Sequence, residues 1–328
     1  NKEHNQIYCI GLYSKHISKV FMVTKKPGKN YIACKTEEEA LENFIEAINE
    51  IDPDIITGWN LIDFDFKCLQ EKCREYKIPF QIARDNSNVR LRLQESFFMD
   101  SKADIAGRMV LDAFNLAKVS FIKLPDYKLD TAASVILGKR KIITKTGKEK
   151  YEEINNLYKK NQNKLAKYNL EDCKLAYEIL YKGDLLDLTI QRSLITGMPL
   201  DKVSASIASL DSLYLKKARA RNLVTPSGKF SRKESPIKGG FVMDSKPGIY
   251  DNILILDFKS LYPSLVRTFN IDPASFQKKC KKDSIKAPNG ACFKNEIGIM
   301  PEIIQELWEH REKARKEKNE LARYAIKI

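Results

Sequence analysis

Histidine is nearly absent from this chain of 328 residues, with only His4, His16 and His310 present. The seven cysteines, at positions 9, 34, 68, 73, 173, 280 and 292, form no C-x-x-C pair. With so few imidazoles and no paired thiol spacing, neither a zinc site nor a disulfide framework is expected. No apolar run approaches the ~20 residues needed to span a bilayer, and no signal-peptide pattern opens the chain. The expected setting is therefore a reducing, cytoplasmic one with no membrane partner. An opening methionine and a closing helix cap are also missing: the chain begins at Asn1 and stops at Ile328 inside a helical pattern. It reads as an internal fragment.

Positive charge is abundant. The formal net charge is +14, which points to a polyanionic partner, because neutralising phosphates releases their counterions. From Lys216 to Lys246 nine Lys or Arg stand against only Glu234 and Asp244, interleaved with Gly, Ser, Pro and Phe. That connector suits a nucleic-acid track. The smaller run Lys139-Arg140-Lys141, with Lys145, Lys148 and Lys150, reads as a solvated surface. The length implies two or more domains, each able to bury a core.

Through residue 185 strand and helix signals alternate. Strands are expected at Ile7–Tyr13, Val20–Thr24, Asp54–Thr57 and Met109–Leu111. Thr36-Glu37-Glu38-Glu39 is a capping box that opens a helix with Leu41, Phe44, Ile45 and Ile48 on one face. Ile62, Phe66, Leu69 and Cys73 share another helical stripe, and a long helix is expected from about Leu157 to Tyr181. Farther on, Pro301 is placed at the start of a helix carrying Ile303, Ile304, Leu307 and Trp308, and Asn319 opens another through Leu321, Tyr324 and Ala325.

Several acids stand where a fold concentrates chemistry. The apolar run Ile253-Leu254-Ile255-Leu256 reads as a buried strand that ends at Asp257. A carboxylate there must be hydrated, paired or on a metal, since uncompensated burial costs several kcal/mol. In Ser260-Leu261-Tyr262-Pro263-Ser264 the proline turns the chain, with Tyr262 extended before it. In Gly58-Trp59-Asn60-Leu61-Ile62-Asp63-Phe64-Asp65 a strand exits into a helix start; Asp63 fits an N-cap, while Asp65 is harder to explain structurally. Tyr168 and Asp172 share a helix face at i and i+4. Asp112, at a strand end, reads as capping rather than ligating. Arg311 and Arg315 project one turn apart, a spacing able to bind phosphate oxygens.

Taken together these segments resemble the family B DNA polymerases. D-F-K-S-L-Y-P-S at 257–264 is similar to the family's motif A, and residues 239–273 look most like its bacterial polymerase II branch. N-x-x-x-F-D at 60–65 resembles the second exonuclease motif, and Y-x-x-x-D at 168–172 the third. The resemblance implies an α/β fold: a ribonuclease H-like 3′–5′ exonuclease domain over residues 1–185 that lacks its first strand, a connector and partial α+β palm over 186–300, and truncated helical fingers over 301–328. It implies template-directed addition of dNTPs to a primer 3′ end, with proofreading. Catalytic roles would fall to Asp257, Asp65, Asp172 and Tyr168, with Asp257, Asp65 and Asp172 also binding Mg²⁺ in two-metal sites. Tyr262, Ser260, Leu261, Arg311, Arg315 and Lys327 would bind nucleotide. Asn60, Phe64, Lys238, Gly239 and Gly240 would contact DNA.

The chain also departs from the family pattern. No D-x-E pair precedes Ile7, motif B beyond Lys327 and the D-T-D motif C are absent, Arg315 stands where Lys is expected, and Ile237 replaces the Tyr of Y-x-G-G. Both metal sites would then be incomplete and the fragment itself inactive. Implied partners are primer–template DNA, dNTP and, in the full-length protein, a sliding clamp, with a bacterial nucleoid location. Two other readings are a decayed polymerase relic that only binds DNA and a stand-alone ribonuclease H-like nuclease.

Overall fold

The computed structural model describes residues 6–94, 101–141, 147–226 and 239–327. They form two compact units, one of residues 1–209 with 319–328 and the other of residues 210–318.

The first unit opens with β1 (Cys9–Tyr13), β2 (Ser18–Val23) and β3 (Ile32–Cys34), followed by helix α1 (Glu37–Ile51) and strand β4 (Ile55–Gly58). β1 and β2 pair antiparallel, and β2 and β3 pair parallel. β2 is buried on both faces. Its alternate residues divide between two cores: Phe21 and Val23 pack with Leu41, Phe44 and Ile48 of α1, while Val20 and Met22 pack with Leu165, Ala166 and Tyr168. The period of two along a strand produces this division.

Half of the capping box at α1 forms as expected, with Thr36 Oγ1 accepting the Glu39 N–H at 3.1 Å. The return bond from Glu39 goes to the Lys35 N–H at 2.6 Å. Such a cap is worth about 1 kcal/mol.

A six-residue π-helical turn, Leu61–Phe66, leads into α2 (Lys67–Glu75). The short hairpin β5 (Arg90–Arg92) and β6 (Lys102–Asp104) then precedes β7 (Met109–Asp112). β7 pairs in parallel with β4, which sets Asp112 beside Gly58 where both strands end. Among the described residues, β4–β7 and β1–β3 are hydrogen-bonded as separate sheets.

Helices α3 (Ala113–Lys118), α4 (Leu129–Leu137), α5 (Gly147–Lys160), α6 (Gln162–Lys182) and α7 (Leu185–Thr196) complete this part. α6 packs on β1, β2, β4 and α4. The long helix expected from Leu157 is broken instead at Asn161, whose side chain accepts the Lys164 N–H at 3.0 Å and caps α6. An Asn that bonds its own backbone favours a cap over a helix interior.

Helix α8 (Ser206–Ala220) leads into the second unit, where α9 (Leu261–Thr268), β8 (Phe276–Gln277), β9 (Ile285–Lys286), β10 (Cys292–Phe293) and α10 (Ile299–Lys316) follow. Two buried side chains root α10. Asp272 accepts the Met300 N–H at 3.0 Å on Oδ1 and the Ala274 N–H at 2.9 Å on Oδ2. Asn270 accepts the Gly298 N–H at 2.8 Å and donates to the carbonyls of Lys294 and Glu296 at 2.6 and 2.7 Å. The helix thus begins two residues before Pro301, which falls in its first turn, where the missing N–H costs nothing. The final helix α11 (Glu320–Ala325) belongs to the first unit and is capped by Asn319, as its sequence indicates.

Three expectations are corrected. Residues 253–256 form no strand, and Ile253, Leu254, Ile255 and Leu256 are all exposed. A strand holds only where neighbours take up its backbone groups, and none of the described strands pairs with this run. Tyr262 and Pro263 lie in the first turn of α9, so Tyr262 is helical rather than extended, and the turn falls at Ser260, with φ 56°. Cys280 and Cys292 are joined as a disulfide, with 5.4 Å between their Cα atoms. The β8–β9–β10 sheet brings these two residues together, a pairing that their sequence spacing does not signal.

Candidate active site

At the end of the parallel pair β4–β7 the chain must turn twice, and one carboxylate holds both turns. Asp112 Oδ1 accepts the N–H groups of Asn60 and Phe114, each at 3.0 Å, and Oδ2 accepts the Ile62 N–H at 3.3 Å. Asp112 therefore caps both α3 and the π-helical turn. It is only 5% exposed, and burial raises its pKa to about 6 against the lowering effect of those three N–H donors. This corrects the N-cap reading of Asp63. Asn60, in the left-handed conformation at φ 61°, takes the cap position, and Asp63 lies exposed within the turn.

The π-helical turn buries Leu61, Ile62 and Phe66 and leaves Asp63, Phe64 and Asp65 outward. Extra residues of this kind in a helix recur at functional sites because they re-aim side chains. Phe64 is 68% exposed, a bare aromatic face beside Asp65. Asp65 is exposed as a residue, while its carboxyl end is partly withdrawn from water by its neighbours. Its pKa is raised to about 7, first by the surrounding protein mass and then by the negative charges of Asp112 and Asp172.

The second component comes from α6. Gly11 of β1 lets that helix approach closely: a Cβ there would lie 2.2 Å from Asn169 Oδ1 and 2.9 Å from Cys173 Sγ. This contact brings Asp172 near Asp65 although 107 residues separate them in sequence. Tyr168 is buried, and its hydroxyl pKa is raised by burial and then by the Asp172 charge. Cys9 and Cys173 stand nearby with thiol pKa values pushed up to about 12 by burial. Burial thus favours the neutral thiol at both positions.

Among its described residues, the basic run that leads into α5 and its first turn is not merely a solvated surface. Lys141 Nζ lies 2.7 Å from Asp172 Oδ2, and the ammonium groups of Lys141 and Lys150 each stand 5.9 Å from the Tyr168 ring centre. The partner 31 residues away is invisible to charge patterning, which reads only neighbours in sequence.

The donor set suits a divalent cation in part. Asp172 Oδ1 is buried without a hydrogen bond of ordinary geometry, and the Asp172 charge adds to what disfavours ionisation of Asp65. A cation between them would relieve both costs. Among the described residues, however, no three His, Cys, Asp or Glu side chains gather closely enough to hold a metal by themselves.

In the second unit Asp257 and Tyr262 are exposed, Ser260 and Leu261 stand at the start of α9, and α9 packs on α10. Trp308 of α10 lies under two cations, with Lys259 Nζ at 5.5 Å and the Arg267 guanidinium at 5.4 Å from its rings. Arg311 is half-buried and Arg315 exposed, with Glu312 4.0 Å from Arg315. Lys327 belongs to the first unit, 4.9 Å from the Phe121 ring centre. Gly239 and Gly240 are exposed, and Lys238 lies outside the described residues.

A model of the DNA polymerase family B exonuclease domain matches residues 1–132, and a model of DNA polymerase family B matches residues 203–324. DNA polymerase II of Escherichia coli (strain K12) is 32% identical over 342 aligned residues, covering 99% of this chain and 42% of that protein. A DNA polymerase of Thermococcus sp. (strain 9oN-7) is 30% identical, covering 89% of this chain and 38% of its own length. A DNA polymerase of Desulfurococcus sp. (strain Tok) is 29% identical over 87% of this chain and 37% of its own. The chain thus spans less than half the length of these relatives. Exonuclease and polymerase matches follow one another along it in the order its own motifs indicate, and on that ground the chain belongs to family B of the DNA polymerases.

Proposed function

We propose that this chain contributes the exonuclease, palm-start and fingers portions of a DNA-directed DNA polymerase that extends a primer by phosphoryl transfer and proofreads by 3′–5′ hydrolysis. Residues 1–185, 186–300 and 301–328 carry these portions in turn. The observation that supports the reading is that the charge of Asp172, with Tyr168 one turn before it on α6, is felt at Asp65, 107 residues earlier in the sequence.

On the exonuclease side, Asp65 and Asp172 would hold a divalent cation, and on the palm side Asp257. Bound Mg²⁺ there neutralises phosphate charge and lowers the pKa of the attacking oxygen. The Tyr168 hydroxyl, held protonated by burial, donates to and orients the attacking water. Phe64 offers its exposed ring to a terminal base, with Asn60 beside it, and Asp112 fixes the turn that carries both.

In the palm and fingers, the backbone N–H groups of Ser260 and Leu261 bind triphosphate oxygens and Tyr262 lies under the sugar. Arg311 and Arg315 balance charge on the outgoing pyrophosphate. Lys238, Gly239 and Gly240 follow the DNA backbone. Primer–template DNA, dNTP, a sliding clamp and a nucleoid location belong to the same proposal.

The test is made in the full-length protein. Asp257→Ala abolishes primer extension while template binding survives, and Asp65→Ala with Asp172→Ala abolishes 3′-end degradation while extension survives. Extension retained by Asp257→Ala would overturn the polymerase assignment.

A further inference from the structure

Lys141 is delivered to Asp172 by a backbone fixed on its N-terminal side. Gly138, at φ 66°, ends α4 and turns the chain toward α6. Lys139 Nζ then reaches Glu178 at 2.6 Å, and the Lys141 N–H donates to Asp130 Oδ1 at 2.7 Å. From there the Lys141 ammonium donates to Asp172 Oδ2 at 2.7 Å.

The pair is sheltered, with side-chain exposures of 10% for Lys141 and 24% for Asp172. This separates it from surface ion pairs, which are worth little because water screens them. The ammonium bonds one carboxylate oxygen, Oδ2; Oδ1 is buried, and the Tyr168 hydroxyl interacts with the same carboxylate, so the single ammonium is one part of its environment.

We propose that Lys141 is a tethered cation that holds Asp172 in competition with a divalent ion, so that metal entry displaces the ammonium. The inference rests on the reading of Asp172 as a metal carboxylate given under Proposed function. While unloaded, the site holds Asp172 aimed through that bond. The corresponding cost is affinity, because the ion binds only the fraction of molecules in which the ammonium has moved away. A charge-assisted, sheltered hydrogen bond favours the closed form enough to lower apparent affinity by about tenfold, ~1.4 kcal/mol.

Mn²⁺ titration of the full chain, read by the electron paramagnetic resonance signal of the free ion, tests this without any turnover. Lys141→Met is expected to bind Mn²⁺ about tenfold more tightly than the parent. Lys141→Arg, which keeps the cation, binds as the parent does, and adding Asp172→Asn to Lys141→Met removes the gain. Lys141→Gln keeps a donor without charge and serves where the Met variant fails to fold; it too must bind more tightly. If the Lys141 variants bind no more tightly than the parent while Asp172→Asn weakens binding, the competition is wrong and the metal reading of Asp172 stands. If Asp172→Asn leaves binding unchanged, both fail.

Discussion

Asp112 accepts the backbone N–H of Asn60 at 3.0 Å, and through that bond the end of one strand holds the turn that leaves its neighbour. The Asp112 carboxylate is thus spent on backbone groups, whereas the Asp65 carboxylate of the same turn caps none of them. Asp112→Ala strands three sheltered N–H groups. We expect a loss of roughly 3 kcal/mol, about 6–12 °C in Tm, measured by thermal denaturation. Asp112→Asn, whose amide oxygen still accepts, recovers part of it.

Asp65 makes a pH prediction of definite sign. Its folded pKa of about 7 lies above the ordinary carboxylate range, so between pH 4 and 7 the folded state binds more protons than the unfolded one. Stability from this group is full below about pH 4 and declines as pH rises through 7. Asp65→Asn should flatten that part of the profile, as denaturant midpoints at pH 5 and pH 8 would reveal. Mn²⁺ affinity in the parent should rise over the same interval as the carboxylate ionises.

Gly11 sets how closely α6 approaches β1. Gly11→Val would drive a side chain into Asn169 and Cys173, one turn from Tyr168 and beside Asp172. Overpacking of this kind costs about 1–3 kcal/mol. The expected signature is a lowered Tm together with reduced 3′-end degradation in the full-length protein, with primer extension retained.

Phe64 separates binding from folding. Its side chain is exposed, so Phe64→Ala should leave Tm unchanged, whereas loss of one stacked base should weaken single-stranded DNA binding by about 1–3 kcal/mol. Fluorescence anisotropy with a short labelled oligonucleotide measures this. Unchanged binding would remove Phe64 from the DNA path.

Local rules made part of this structure legible. Thr36 and Glu39 announce α1, Asn319 announces α11, and the strand-ending position of Asp112 already suggests a cap. Tyr168 and Asp172 are paired by helical spacing alone. Contacts that depend on the fold left no such trace. The approach of Lys141 to Asp172 needs the path of α4 against α6, the Cys280–Cys292 pair needs the β8–β9–β10 register, and the π-helical turn has no periodicity of its own. The apolar run at 253–256 shows the opposite failure: a composition suited to a strand does not form one without a neighbour to pair with.

Asn270 and Asp272 hold α10 at its root, while Arg311 and Arg315 lie far along its shaft. At ~1.5 Å of rise per residue, Arg311 stands roughly 20 Å from that root. A tilt of only about 5° at the pivot would then carry the guanidinium nearly 2 Å, enough to make or lose a phosphate hydrogen bond. Two buried polar side chains therefore set the direction of a long lever, and a substitution at either would show itself at the far end.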